Sequence, residues 1–126
     1  MKRFITFEGV EGSGKTTQMK MASSFLRSRG RSCLVTEEPG GTSLGRKIRR
    51  ILLRRSEEGL AAETELLLFA AARAHHVRAL ILPALEDSQK FVLCDRFVDA
   101  TLAYQGFGRG LDRRTIEELN RLACGP

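Results

Sequence analysis

The sequence predicts an α/β fold with a parallel sheet and helices on both of its faces. Three observations carry this reading. Short β-prone runs alternate with stretches of helical periodicity, the pattern of strand–helix–strand units. One run, Phe91-Val92-Leu93-Cys94, is apolar throughout, as in a strand buried on both faces. A glycine-rich turn, Gly9–Gly14, separates the first strand from the first helix.

The elements follow in order. Phe4-Ile5-Thr6-Phe7 alternates and reads as a strand. From Thr16 to Arg29, Met19, Met21, Ala22, Phe25 and Leu26 recur near helical spacing, with Gly30 as the stop. Ser32–Thr36 is a second strand and Pro39–Thr42 a loop. Ser43 is the expected N-cap of a helix with Leu44, Ile48, Ile51 and Leu52 on its apolar face. After a polar connection at Ser56–Leu60 comes a long helix, about Glu63 to Leu82, expected to end or kink at Pro83. The strand Phe91–Cys94 ends in Asp95. Val98–Gln105 looks helical and stops at Gly106, and Asp112 caps a last helix carrying Ile116, Leu119 and Leu122. No repeat or linker divides the chain, so residues 1–126 read as one domain. Three strands make a thin parallel sheet, and the chain stops just after a helix. The expectation is therefore a longer parent, truncated here on the C-terminal side.

The chain is 42% hydrophobic and 29% charged, which suits a globular domain with a core. No apolar run approaches the ~20 residues that a membrane span needs. The N-terminus lacks the features of a signal peptide, which leaves the cytoplasm as the default location. The net charge of +6 fits anionic partners, but only one tyrosine and no tryptophan are present to stack on bases, so small anions are favoured over nucleic acid. Cys33, Cys94 and Cys124 show no metal or disulfide spacing, and Cys33 and Cys94 read as core residues. His75 and His76 have no partner at catalytic or metal spacing and read as structural or exposed.

Gly9-Val10-Glu11-Gly12-Ser13-Gly14-Lys15-Thr16 matches G-x-x-x-x-G-K-[ST], with Thr17 following. Glycines let the loop turn its amides inward, and those amides and the helix N-terminus bind phosphate oxygens. Lys15 brings a point charge to the β and γ phosphates, and Thr16 offers a hydroxyl to Mg²⁺. The motif follows a strand and opens a helix, the setting it requires, which refines the fold to a three-layer P-loop NTPase. Asp95, at the tip of a buried strand, suits the carboxylate that faces the P-loop metal. Arg96 after it suits a nucleotide kinase, where an arginine holds the acceptor phosphate; neither GTPase motif is present.

Four segments together resemble bacterial thymidylate kinase: Phe4–Thr17, Glu38-Pro39-Gly40-Gly41-Thr42, Phe69–Arg73, and Asp95-Arg96-Phe97 with Ala103-Tyr104-Gln105-Gly106. The Glu38–Thr42 loop and the run from Asp95 to Gly106 carry the most specificity. The resemblance implies transfer of the ATP γ-phosphoryl group to dTMP, giving dTDP and ADP for dTTP synthesis, in a cytoplasmic homodimer. It implies that Arg49 and Arg96 clamp the dTMP phosphate, as planar guanidinium forks suit. It further implies that Phe69 stacks on thymine, that Arg73 reaches the base edge, and that Thr101 and Gln105 contact the base. Tyr104 would sit by the sugar, and Glu38 with Pro39 would serve the Mg²⁺ or acceptor side. Spacing alone would place Phe69 in the core; Arg73, one turn on, lets both face one cleft.

Three positions depart from the family pattern. Glu37 stands where many relatives carry arginine, and Ala100 replaces a common serine. Glu11 occupies the P-loop position that carries a catalytic arginine in one subclass. In the family, enzymes without that arginine place basic residues in a later lid, which would lie beyond Pro126. Little or no turnover is therefore expected from these 126 residues alone. The competing readings are a P-loop kinase for another nucleotide or metabolite, and an inactive nucleotide-binding fragment.

Overall fold

The computed structural model describes residues 3–9, 12–54, 59–97 and 110–125. Its elements are β1 (Phe4–Phe7), α1 (Lys15–Ser28), β2 (Ser32–Glu37), α2 (Ser43–Leu53), α3 (Ala62–His76), a π-helical segment (Val77–Ile81), α4 (Leu82–Leu85), β3 (Lys90–Asp95) and α5 (Arg113–Cys124). The expected helix Val98–Gln105 lies outside the described residues.

The three strands form a parallel sheet in the order β1-β3-β2. The last strand in sequence is thus the central one, which is why its run is apolar without alternation. Val92, Leu93 and Cys94 are all fully buried. Successive side chains on a strand point to opposite faces. Val92 and Cys94 meet Val77, Ile81 and Phe97 in one core cluster. Leu93 points to the other face, where α1 packs on β2 and β3 and buries Met19. Both faces of the sheet therefore carry helix, as the α/β class requires. The α1 side is covered less completely: Val35 is half exposed, and Met21 and Phe25 on α1 face solvent.

Local structure departs from the sequence reading at two places. The N-cap of α2 is Thr42, not Ser43. Thr42 has extended backbone and its hydroxyl accepts from the Gly45 amide at 2.9 Å, leaving Ser43 as the first helical residue. On that helix Ile48 is buried, but Leu44 and Ile51 are not. Pro83 does not end the long helix either. A proline lacks the amide for an i→i−4 bond and its ring crowds the carbonyl four residues back. Here the Leu82 amide reaches five residues back to the Val77 carbonyl, and this wider turn lets the helix run through Pro83. The resulting helix, Ala62–Leu85, has 24 residues and a window of mean hydropathy 1.2, enough by length and composition to cross a membrane. It carries the buried Arg73 and His76 and packs on α2 and α5, which is the behaviour of a core helix. At its far end Arg3 donates to the carbonyls of Leu85 at 2.7 Å and Lys90 at 2.8 Å, tying α4 to the sheet.

Asp112 caps α5 as expected, accepting from the Thr115 amide at 3.3 Å. Ile116 is the buried anchor of this helix, while Leu122 is exposed.

All three cysteines are free; Cys94 is buried, whereas Cys33 and Cys124 are partly buried. Burial pushes the Cys94 thiol far above its ordinary value of 9.0, and the carboxylates of Glu38 and Glu8 push it the same way. In the unfolded chain that thiol ionises near pH 9, while the native state keeps its proton, so rising pH favours unfolding. The unfolding free energy should fall by about 1.4 kcal/mol per pH unit above ~9 from this group. Denaturant titrations between pH 8 and about 10.5 would read the slope. Cys94→Ala should flatten it, and an unchanged slope in that variant would refute the assignment.

Candidate active site

The loop after β1 holds its shape through glycine. Gly12 and Gly14 have φ of 81° and 84°, left-handed values that L side chains resist. Gly14 is the N-cap of α1, and no side chain caps the helix there. The first amides of α1 are thus left to an external acceptor, with the positive end of the helix dipole behind them. Lys15 is the first residue of that helix, and its Nζ lies 2.6 Å from Asp95 Oδ1. Strand register explains the encounter, because Phe7, the last residue of β1, pairs with Asp95, the last of β3. Asp95 Oδ1 is buried, and no described group makes an aligned hydrogen bond to it. Thr16 sits one residue into α1, exposed, beside a cleft of about 750 Å³ that Asp95, Thr36, Glu37 and Gly41 also line. Val10 and Glu11 lie outside the described residues.

Just past β3, Arg96 adopts φ 66°, the one non-glycine residue with positive φ among those described. Such strain persists only where the surroundings over-determine it, and here three bonds surround it. The Arg96 amide donates to the Phe7 carbonyl at 2.9 Å. The Phe97 amide donates to Glu8 Oε1 at 2.9 Å. The Cys94 thiol donates to the Arg96 carbonyl at 3.1 Å. Phe97 is buried, with its ring edge-on to Phe4 at 5.0 Å. This turn re-aims the chain immediately beside Lys15 and Asp95.

A third cluster forms around Glu38, which follows β2 and precedes a cis peptide bond to Pro39. Its amide donates to the Asp95 carbonyl at 3.0 Å, so the loop begins beside the carboxylate strand. Its side chain is buried and accepts from two donors: Arg73 Nε to Oε1 and His76 Nδ1 to Oε2, each at 2.7 Å. A carboxylate offers only acceptors, so Nδ1 carries the proton. Thr36 Oγ1 lies 2.8 Å from Nε2 on the other side of the ring. Arg73 also donates to Asn120 of α5 at 2.6 Å and to the Phe97 carbonyl at 3.0 Å, with its guanidinium over the Phe97 ring. Phe69, one turn before Arg73 on α3, is half-buried. Arg49 is exposed and reaches the Pro39 carbonyl at 3.2 Å and Glu37 at 3.4 Å. Glu37, noted above as a departure from the family pattern, is thus beside one of the two candidate phosphate-clamping arginines. Thr101, Tyr104 and Gln105, with Ala100, lie outside the described residues.

Sequence reasoning missed Thr36, His76, Asn120 and Glu8. The only signal was the i,i+3 spacing of Arg73 and His76 on one helix face, and their shared partner is 35 residues or more away. Packing here leaves no slack. A Cβ on Gly41 would fall 2.4 Å from both His76 Nε2 and Thr36 Oγ1. Gly41→Ala should therefore cost about 1–3 kcal/mol of stability by overpacking; denaturant unfolding would measure it, and a neutral result would contradict this packing.

A family model described as thymidylate kinase matches residues 7–126. The chain belongs to the thymidylate kinase family. Among curated thymidylate kinases, that of Thermomicrobium roseum is 59% identical over 125 residues, covering 99% of this chain and 58% of the relative. That of Geobacter sulfurreducens is 56% identical over 125 residues, with the same coverage. That of Desulfosudis oleivorans is 55% identical over 122 residues, 97% of this chain and 56% of the relative. The solved thymidylate kinase of Ehrlichia chaffeensis superimposes with a TM-score of 0.85 at 44% identity, over 95% of this chain and 65% of that one. The chain thus spans a little over half the length of the curated thymidylate kinases it matches.

Proposed function

We propose that the full-length protein transfers the γ-phosphoryl group of ATP to dTMP, releasing dTDP and ADP. The observation that carries this is the convergence of Lys15, Asp95 and the strained Arg96 turn at the adjoining ends of β1 and β3, in a chain of this family. An acceptor-phosphate oxygen attacks the γ-phosphorus as the bond to the β–γ bridging oxygen breaks, and ADP leaves with that electron pair. The protein then has mainly to align two polyanions and neutralise their charge.

The amides of Gly9–Gly14 and the uncapped start of α1, with Thr17 close behind, hold the triphosphate of ATP. Lys15 neutralises its β and γ phosphates. Thr16 and Asp95 fit Mg²⁺, since a hard cation taking most of its ligands from phosphate and water needs only one or two protein oxygens. When bound, that ion neutralises developing phosphate charge. Arg96 and Arg49 orient the acceptor phosphate. Phe69, Arg73 and the loop from Glu38 and Pro39 shape its base side, with Thr101, Tyr104 and Gln105, and Glu11 contributes its backbone amide to the loop that holds the donor phosphates. The enzyme works in the cytoplasm as a homodimer; the apolar residues exposed on α2 and α3, among them Ile51 and Leu67, support contact between two copies.

The test is phosphoryl transfer from ATP to a panel of nucleoside monophosphates, using the full-length protein and these 126 residues in parallel. dTMP should be the preferred acceptor of the full-length protein, and a protein that ignores dTMP rules the reading out.

A further inference from the structure

We propose that His76, set by Thr36, is a positioning residue for the acceptor subsite, holding the Glu38 carboxylate that orients Arg73 and the Glu38–Thr42 loop. The inference rests on the assignment of that side of the cleft to the acceptor.

The geometry divides the work among three elements. Thr36 lies in β2, one residue before its end, Glu38 opens the loop, and His76 closes α3. His76 is 2% exposed, as is Arg73, so neither exchanges its partner for water at low cost. The Thr36 hydroxyl, 2.8 Å from Nε2, holds one edge of the ring and so turns the Nδ1–H edge toward the carboxylate. Each Glu38 oxygen then has one fixed donor, and the carboxylate plane is set. That plane fixes the approach of Arg73 Nε, whose remaining nitrogens reach Asn120 and the Phe97 carbonyl. Gly41 lies directly over the Thr36–His76 contact, so the loop's path depends on the same pair. Without the imidazole, one Glu38 oxygen loses its donor and the carboxylate can rotate away from Arg73. Lys15 on the donor side meets this cluster only indirectly among the described contacts, through Asp95, whose carbonyl accepts from the Glu38 amide and not from its side chain.

A role confined to holding the fold would lower stability and leave the two substrates affected alike. A positioning role raises KM for the acceptor selectively. Initial rates of the full-length protein, with ATP and the acceptor varied separately, distinguish the two. His76→Ala should raise the acceptor KM about 10-fold, the effect of losing one hydrogen bond to a buried charge. KM for ATP should stay within about 2-fold. His76→Asn, which keeps a donor at the Nδ1 position, should recover most of the loss. Thr36→Val should raise the acceptor KM about 3-fold, and Thr36→Ser should restore it. A folded His76→Ala protein with an unchanged acceptor KM overturns the proposal, as does an equal rise in both KM values or a failure of His76→Asn to recover. If His76→Ala does not fold, the Thr36 pair decides, and an unaltered acceptor KM in Thr36→Val overturns it. A wild-type protein that prefers another monophosphate defeats dTMP as substrate but leaves the comparison readable on that acceptor. A wild type with no acceptor in the panel defeats both.

Discussion

Arg96→Ala in the full-length protein should lower kcat/KM for the acceptor by roughly 10²- to 10³-fold, the loss expected when a preorganised charge donor is removed from a reacting centre. The backbone is the reason to expect so large an effect. A φ of 66° at a non-glycine residue is held by bonds from Phe7, Glu8 and Cys94 on either side of it. A fold that maintains this strain next to Lys15 and Asp95 gains nothing from it unless the side chain is aimed. Arg96→Lys keeps the charge and loses the planar fork, and it should fall between the two. Steady-state kinetics on the three proteins would check the order, and an Arg96→Ala rate equal to wild type would mean the acceptor phosphate binds elsewhere.

Glu38→Ala should be the most destabilising single change in the described core, at about 3–5 kcal/mol. The deleted carboxylate is the sole anion bonded to both Arg73 and His76 among the described residues, and both are buried at 2% exposure. Removing it takes from the buried guanidinium and the imidazole the carboxylate that they share. Glu38→Gln keeps one acceptor oxygen and should cost less. Urea unfolding monitored by circular dichroism would give both values, and a loss below about 1 kcal/mol for Glu38→Ala would show that the cluster relaxes around the gap.

The sequence made the frame legible where a residue's role depends on near neighbours. The Gly9–Thr16 loop has a fixed spacing, and the apolar run Phe91–Cys94 needs no partner to declare that it is buried. The Asp112 cap and the stop at Gly30 are also local chemistry. Errors arose where a neighbour competes. Thr42 and Ser43 are both good caps, and only backbone geometry chose Thr42. Pro83 breaks helices unless a wider turn precedes it, and no residue in Val77–Ile81 announces that turn. The Glu38 cluster was hidden for a different reason. His76, Thr36 and Asn120 each look ordinary alone, and their meaning comes from a shared contact between segments far apart in sequence. Phe69 shows the limit of spacing: read by period alone it is a core residue, yet it is only half-buried.

The strand order has a consequence for how the chain is made. β1 and β2 flank β3 and never bond to one another. During synthesis, both outer strands must wait for residues 90–95 to emerge before either finds a hydrogen-bonding partner. Loops of this length close slowly. The wait also applies to the chemistry, since Asp95 is the last residue of the strand that completes the sheet. The ribosome therefore releases a phosphate loop long before it releases the carboxylate that faces it, and the newborn chain holds two bare strand edges in the meantime.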